Sequence, residues 1–214
     1  MVRAGIAGAV AGVCLSWAPW PATGAKAQEP ATDEAFFPLR QGCTWVYATR
    51  HKTENEKFDM TVRIEGPWTE NSTTGTVMTQ EDPRGRMREF LVRQERGFFI
   101  QKIAVKKFLV PEVTTRFDPP MPRLFFPMQP GSKLHWEGHL KIAWIDKQIV
   151  FDGTVVGWED IDVPAGRFHC LRLHFIEKRG DEDVTEDVWY APGVGQVQYN
   201  GGHYIKALKS FQKP

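Results

Sequence analysis

From residue 44 onward the chain alternates between apolar and polar positions. In "TWVYATRH", Trp45 and Tyr47 share one side of an extended segment. In "KFDMTVRIEG", Phe58, Met60, Val62 and Ile64 share one side, and Asp59, Thr61, Arg63 and Glu65 the other. A period of two marks a strand with one face in a core, because successive Cβ atoms point to opposite faces. "TGTVMTQED", "MREFLVRQ" and "GFFIQKIAV" follow, broken by Asp82-Pro83-Arg84-Gly85 and Arg96-Gly97. Such Pro/Gly breaks suit tight turns between antiparallel strands. The second half behaves alike: Leu134, Trp136, Leu140, Ile142 and Trp144 share a parity, as do Leu171, Leu173 and Phe175. Pro164-Ala165-Gly166 and Pro192-Gly193 supply further turns. No segment carries a convincing helical period. The pattern predicts an all-β, mostly antiparallel fold: a curved sheet or half-barrel of about ten strands with little helix.

One phrase occurs twice. "FFPLRQG" spans residues 36–42 and "FFPMQPG" spans 125–131. Each precedes a strand with large apolar groups, so Trp45 and Tyr47 align with Leu134 and Trp136. Two accounts stay open. Either residues 36–124 and 125–214 are related halves of one domain, or one strand-leading motif is used twice.

The first thirty residues, "MVRAGIAGAVAGVCLSWAPWPATGAKAQEP", change the picture of the rest. Arg3 precedes an Ala/Gly-rich apolar run, and Ala25-Lys26-Ala27 places small residues where a signal peptidase cuts. Residues 1–27 are expected to be a signal peptide, 28–35 a flexible leader and 36–214 a single β domain. Pro19 and Pro21 shorten the apolar run below the roughly 20 residues of a spanning helix. No transmembrane segment is expected after cleavage, and the address is periplasmic or extracellular. Losing Arg3 and Lys26 leaves 25 basic against 26 acidic side chains, a balance that does not ask for nucleic acid. Three cysteines become two. Outside the cytoplasm Cys43 and Cys170 are a candidate disulfide, against the alternative of two buried thiols.

"FFPLRQGCTW", "VPAGRFHCLRL" and "VWYAPGVGQVQY" together resemble the TapB-like exported proteins of bacteria, whose domain is similar to the LolA-like half-barrels. The match runs from Phe36 to about Lys209. The resemblance implies a curved antiparallel sheet, an envelope or extracellular address and no established catalytic residues. LolA-like folds include carriers of acyl chains, which extends to this chain only by analogy.

Candidate chemistry is sparse. His135, Glu137 and His139 alternate and would project together from a strand, as a weak candidate set for zinc. Their parity is opposite to that of Leu134, Trp136 and Leu140, so the competing account is three side chains facing water. None of the three serines left after cleavage lies in a nucleophile elbow, and no phosphate-binding glycine motif occurs. Arg84, Arg86 and Arg88 read as a solvated strand face diluted by Glu81, Asp82 and Glu89. Trp45, Trp136 and Trp189 are candidates to line an apolar concavity, with the Pro-rich residues 117–131 across its mouth. The sequence therefore predicts a noncatalytic exported domain without cofactor. It binds an apolar small molecule, an acyl chain or an envelope protein. The alternatives are a metal-assisted hydrolase on the His135/Glu137/His139 face and a structural envelope component.

Overall fold

The computed structural model describes residues 32–179 and 182–214. The expected signal peptide, and the first half of the expected leader, lie outside them. Twelve strands follow a short 3-10 turn at Asp33–Phe36. They are β1 (Thr44–His51), β2 (Lys57–Glu70), β3 (Thr73–Asp82), β4 (Gly85–Gln94), β5 (Gly97–Lys107) and β6 (Val113–Phe125). Then come β7 (Lys133–Ile142), β8 (Ile145–Val163), β9 (Gly166–Arg179), β10 (Glu182–Ala191), β11 (Gly195–Gly201) and β12 (Tyr204–Gln212). Each strand pairs antiparallel with the next, and β12 returns to β1, with Trp45 opposite Phe211 and Tyr47 opposite Leu208. The predicted antiparallel curved sheet is thus present, with twelve strands, and it closes into a barrel.

Closure removes both sheet edges, which otherwise leave unpaired backbone donors and acceptors. The alternation then sorts side chains into lumen and exterior. Ile64, Leu91, Leu124, Leu171, Leu173 and Leu208 are at most 1% exposed. Burying such a side chain contributes about 1.5–3 kcal/mol, so this set outweighs any single polar contact described below. The outer positions of β7 and β9 carry His135, Glu137, His139, Arg172 and His174, so this wall does not present the apolar band of a membrane barrel.

The repeated phrase folds the same way twice. Gly42 has φ +88 and Gly131 φ +87, the left-handed region that glycine enters without a Cβ penalty. Gly42 N–H donates to Ile64 O at 2.9 Å, and Gly131 N–H donates to Val155 O at 2.8 Å. In each copy the next residue answers: Ile64 N–H donates to Cys43 O, and Val155 N–H donates to Ser132 O. Each phrase hooks the chain onto an existing strand and starts an odd-numbered one, and six strands follow each. The first copy also closes its end of the barrel. Phe37 lies 5.5 Å from Phe98 and 6.4 Å from Tyr190, and Gly193 N–H donates to Ala35 O. Trp45 Nε1 donates to Val194 O at 2.7 Å, so "APGVG" is both a turn and a clasp over β1.

Two expectations change. Residues 117–131 are no lid: most of them are β6, built into the wall, where Phe117 and Asp118 pair with β7 and Met121 to Phe125 lie along β5. Cys43 and Cys170 are free and buried. Their surroundings differ, Arg40 and Lys213 beside the first and Asp160 and Glu159 beside the second, and Cys170 Sγ turns toward Phe168 O.

Candidate functional site: a cationic mouth above a buried polar network

Among the described residues several charged side chains sit on lumen-facing parities. Glu89 lies between Met87 and Leu91, Arg123 between Met121 and Phe125, and Lys206 between Tyr204 and Leu208. Glu177 continues the line of Leu171, Leu173 and Phe175, and Glu186 stands opposite Phe175. A charge in such a place costs several kcal/mol unless it finds partners. Arg123 finds them across the lumen. Its Nε donates to Glu89 Oε2 at 3.2 Å, Nη1 to Tyr190 OH at 3.0 Å and Nη2 to Gln196 Oε1 at 3.3 Å. Gln80 Nε2 donates to the other Glu89 oxygen at 2.6 Å, and Tyr47 OH donates to Gln196 O at 2.9 Å. Phe37 lies under the guanidinium at 5.6 Å. The space left between these groups is about 30 Å³, bounded also by Trp45, Val62 and Met78. A water needs roughly 10–15 Å³, so the deep lumen takes a water or two and no acyl chain.

Lys206 is the exception to full pairing. Its Nζ donates to Gln80 Oε1 at 3.4 Å and lies 5.0 Å from the Tyr199 ring. Desolvation, with repulsion from Arg123, brings its pKa down to about 8 against the pull of Glu89, Glu186 and Asp82. Tyr199 OH donates to Glu186 at 2.7 Å, and burial first, then Glu186, pushes its phenol up. Tyr47 is likewise pushed up by burial. These phenols stay protonated and donate.

Lys206 and Gln80 also form the floor of a second cavity, about 370 Å³, at the opposite end of the barrel from Phe37. Met60, Met87, Val105 and Tyr204 give it apolar walls. Arg84, Arg86, Lys106, Lys107 and Lys206 give it five cations against one acid, Asp82. The β3–β4 turn places Arg84 across the opening. Its guanidinium stacks on Phe58 at 4.3 Å and Tyr204 at 4.8 Å, bonds Tyr204 OH and pairs with Asp82 at 2.7 Å. Glu56 adds a looser contact at 3.6 Å. Arg86 reaches Glu81 only at 4.0 Å. Arg84 is therefore a fixed bar across the mouth, and Arg86, Lys106, Lys107 and Lys206 are the cations left to meet an anion.

The sequence-predicted residues are distributed as follows. Trp45 bounds the deep lumen from the end plugged by Phe37. Trp136 faces the lumen from β7, opposite Phe151, with its ring over Gly138. Trp189 shares its side with Arg172, whose neighbours Leu171 and Leu173 point the other way. Its Nε1 donates to Glu159 at 2.9 Å, and Arg172 lies 5.6 Å over its ring. The three tryptophans do not line one groove. His135 Nδ1 meets Asp152 at 2.6 Å and Nε2 meets Glu137 at 3.0 Å, while His139 turns to Asp146 at 2.6 Å. The partners of His135, Asp152 first and then Glu137, raise its pKa. Both His135 nitrogens are engaged with carboxylates. Among the described residues no group of three or more His, Cys, Asp or Glu is placed to hold a metal. Sequence reasoning missed Glu89, Arg123 and Lys206; their signal was a charge on an otherwise apolar parity.

No family model matches the chain, and no curated protein does. Among solved structures it is similar to a provisionally assigned lipoprotein from Parabacteroides distasonis, at 15% identity and TM-score 0.51, over 86% of this chain and 100% of that one. A provisionally assigned exported protein with a YmcC-like fold from Bacteroides fragilis gives 17% identity and TM-score 0.48 over the same shares. At such identity the first likeness speaks to the fold alone: an antiparallel β fold shared with a bacterial protein across almost all the described residues.

Proposed function

We propose that the chain is an exported, noncatalytic binding domain, and that its ligand is an amphiphile with an anionic head. The observation that carries this reading is the mouth cavity, apolar in its walls and cationic at rim and floor. Its volume of about 370 Å³ is at the lower end of small-ligand sites, roughly 300–1,000 Å³. The closed lumen below leaves no room for a long chain, so the tail lies against Met60, Met87 and Val105 while the head meets Lys206 and Lys106. The signal-peptide layout of residues 1–27 supports export.

The test is a titration with a medium-chain fluorescent carboxylate, beside the alcohol of the same chain. The carboxylate should bind, the alcohol at least about tenfold more weakly, since a charge-assisted hydrogen bond contributes about 1.5–3 kcal/mol. Lys206→Met should remove most of that preference. Equal affinity for acid and alcohol, or no binding by folded protein, would end the proposal.

A further inference from the structure

Among the described residues eight large apolar side chains are exposed, and six of them sit on two hairpin tips. Phe108 (83% exposed), Leu109 (88%), Val110 and Val113 lie on the β5–β6 connection and the start of β6. Trp144 (92%) and Ile145 lie on the β7–β8 turn. The two tips are neighbours. β6 and β7 pair with Thr115 opposite Ile142, and Ile142 faces Ile145 across its own turn. Both stand at the mouth end, where even-numbered strands begin. Leu109 is held at φ 60, an uncommon conformation for a branched side chain and one that collects at functional turns.

Concentration of exposed apolar residues at one place marks an interaction site, whereas scattered ones need no account. The charges beside the tips indicate its partner. Glu112 is neutralised by Arg88 at 2.8 Å and Asp118 by Lys141 at 2.8 Å, and Asp146 is bonded by His139 at 2.6 Å. Lys106, Lys107 and Lys147 carry no ion pair among the described residues. Two narrow tips form a wedge rather than the face of roughly 800 Å² per partner that a stable protein interface buries. Tryptophan and phenylalanine sit well at the boundary between headgroups and acyl chains, and lysines beside them meet anionic lipid.

We infer that the β5–β6 and β7–β8 tips insert into the surface of an anionic bilayer and seat the barrel with its mouth toward the membrane. Phe108 and Leu109 border a cavity that adjoins the mouth and shares Arg84, Arg86, Lys106 and Lys107 with it, yet the inference does not rest on the ligand reading, because it stands on the exposed tips, Trp144 among them, whatever the mouth holds. The step is reversible partition, with no bond made or broken.

The protein, purified as its producing cells process it, is co-sedimented with vesicles of phosphatidylcholine alone and of phosphatidylcholine with phosphatidylglycerol. All variants share that background, so any contribution of residues 1–27 cancels. Binding should favour the anionic vesicles and weaken severalfold at about 0.5 M salt, where screening shortens to a few Å. The triple variant Phe108→Ser/Leu109→Ser/Trp144→Ser should lose at least about tenfold in partition, since each buried CH₂ contributes about 0.8 kcal/mol. Bromine-labelled lipid should quench the wild type more than Trp144→Phe, a second variant whose substitution at an exposed site leaves the fold alone. Wild-type partition by the triple variant, or quenching unchanged in Trp144→Phe, overturns the inference. So does a dimer in light scattering that the triple variant dissolves, which would make the tips a contact between copies.

Discussion

Replacing Glu89 by Gln isolates the electrostatics of the deep lumen. The Glu89 side chain is 6% exposed and that of Arg123 20%, so both charges are largely withdrawn from water. Glu89→Gln keeps the shape but leaves Arg123 facing the neutral oxygens of Tyr190 and Gln196. An arginine cannot shed its proton, so the uncompensated charge should cost about 3–5 kcal/mol. For a domain of this length one kcal/mol moves Tm by about 2–4 °C, which puts the expected fall at roughly 6–20 °C. Arg123→Met alone should cost less at low pH, because a lone buried carboxyl can take up a proton. The double variant Glu89→Gln/Arg123→Met removes both charges and should return to within about 1–2 kcal/mol of wild type, as replaced buried pairs do. Urea unfolding followed by tryptophan emission and far-UV circular dichroism measures all four corners of the cycle. A cost below about 1 kcal/mol for Glu89→Gln, or a double variant that costs the sum of the singles, would refute the account.

Lys206 has a folded pKa lowered to about 8, so between pH 8 and its unfolded value the unfolded chain binds more protons and stability should rise with pH. The gain between pH 8 and 9.5, before unfolded tyrosines ionise, should be about 1.5–2 kcal/mol and be absent in Lys206→Met; parallel curves for both proteins would contradict it. Gly138→Ala would set a Cβ 2.4 Å from the Trp136 ring, so the ring must move. A loss of about 1–3 kcal/mol with altered near-UV dichroism is expected, and an unchanged spectrum would count against the packing described. Burial raises the thiol pKa of Cys43, and of Cys170 to about 12, so neither should react with an aqueous disulfide reagent until the barrel unfolds; rapid labelling of folded protein would show otherwise.

Much of the fold was legible locally. The period-two pattern of Phe58 to Ile64 is a property of one strand, and burial follows it in β2, where Met60, Val62 and Ile64 are all below 9% exposed. The turns at Pro83-Arg84-Gly85 and Pro164-Ala165-Gly166 are likewise short-range chemistry, and they fall where strands meet. The twin "FFP" phrases pointed to two equivalent strand starts, because Gly42 and Gly131 alone can take the positive φ the hooks require.

What the pattern could not carry was partnership across the sheet. Alternation says which residues share a face, but not which strand stands opposite, and the β1–β12 pairing that closes the barrel joins residues more than 150 positions apart. Trp189 shows the limit: a bulge between Trp189 and Tyr190 and the register with Arg172 decide its side, and both belong to the assembled sheet. The candidate site lies largely in this second category. Glu89 and Gln80 share the β3–β4 hairpin, but only closure brings Arg123 of β6 to Tyr190 and Gln196 and Lys206 of β12 to Gln80. The sequence by itself determined strands, turns and the apolar side of each, since those depend on neighbours a few residues away. The tertiary structure alone decided which charges would meet in the lumen and which end of the barrel would open, because those depend on groups that are adjacent only after the sheet has curled onto itself.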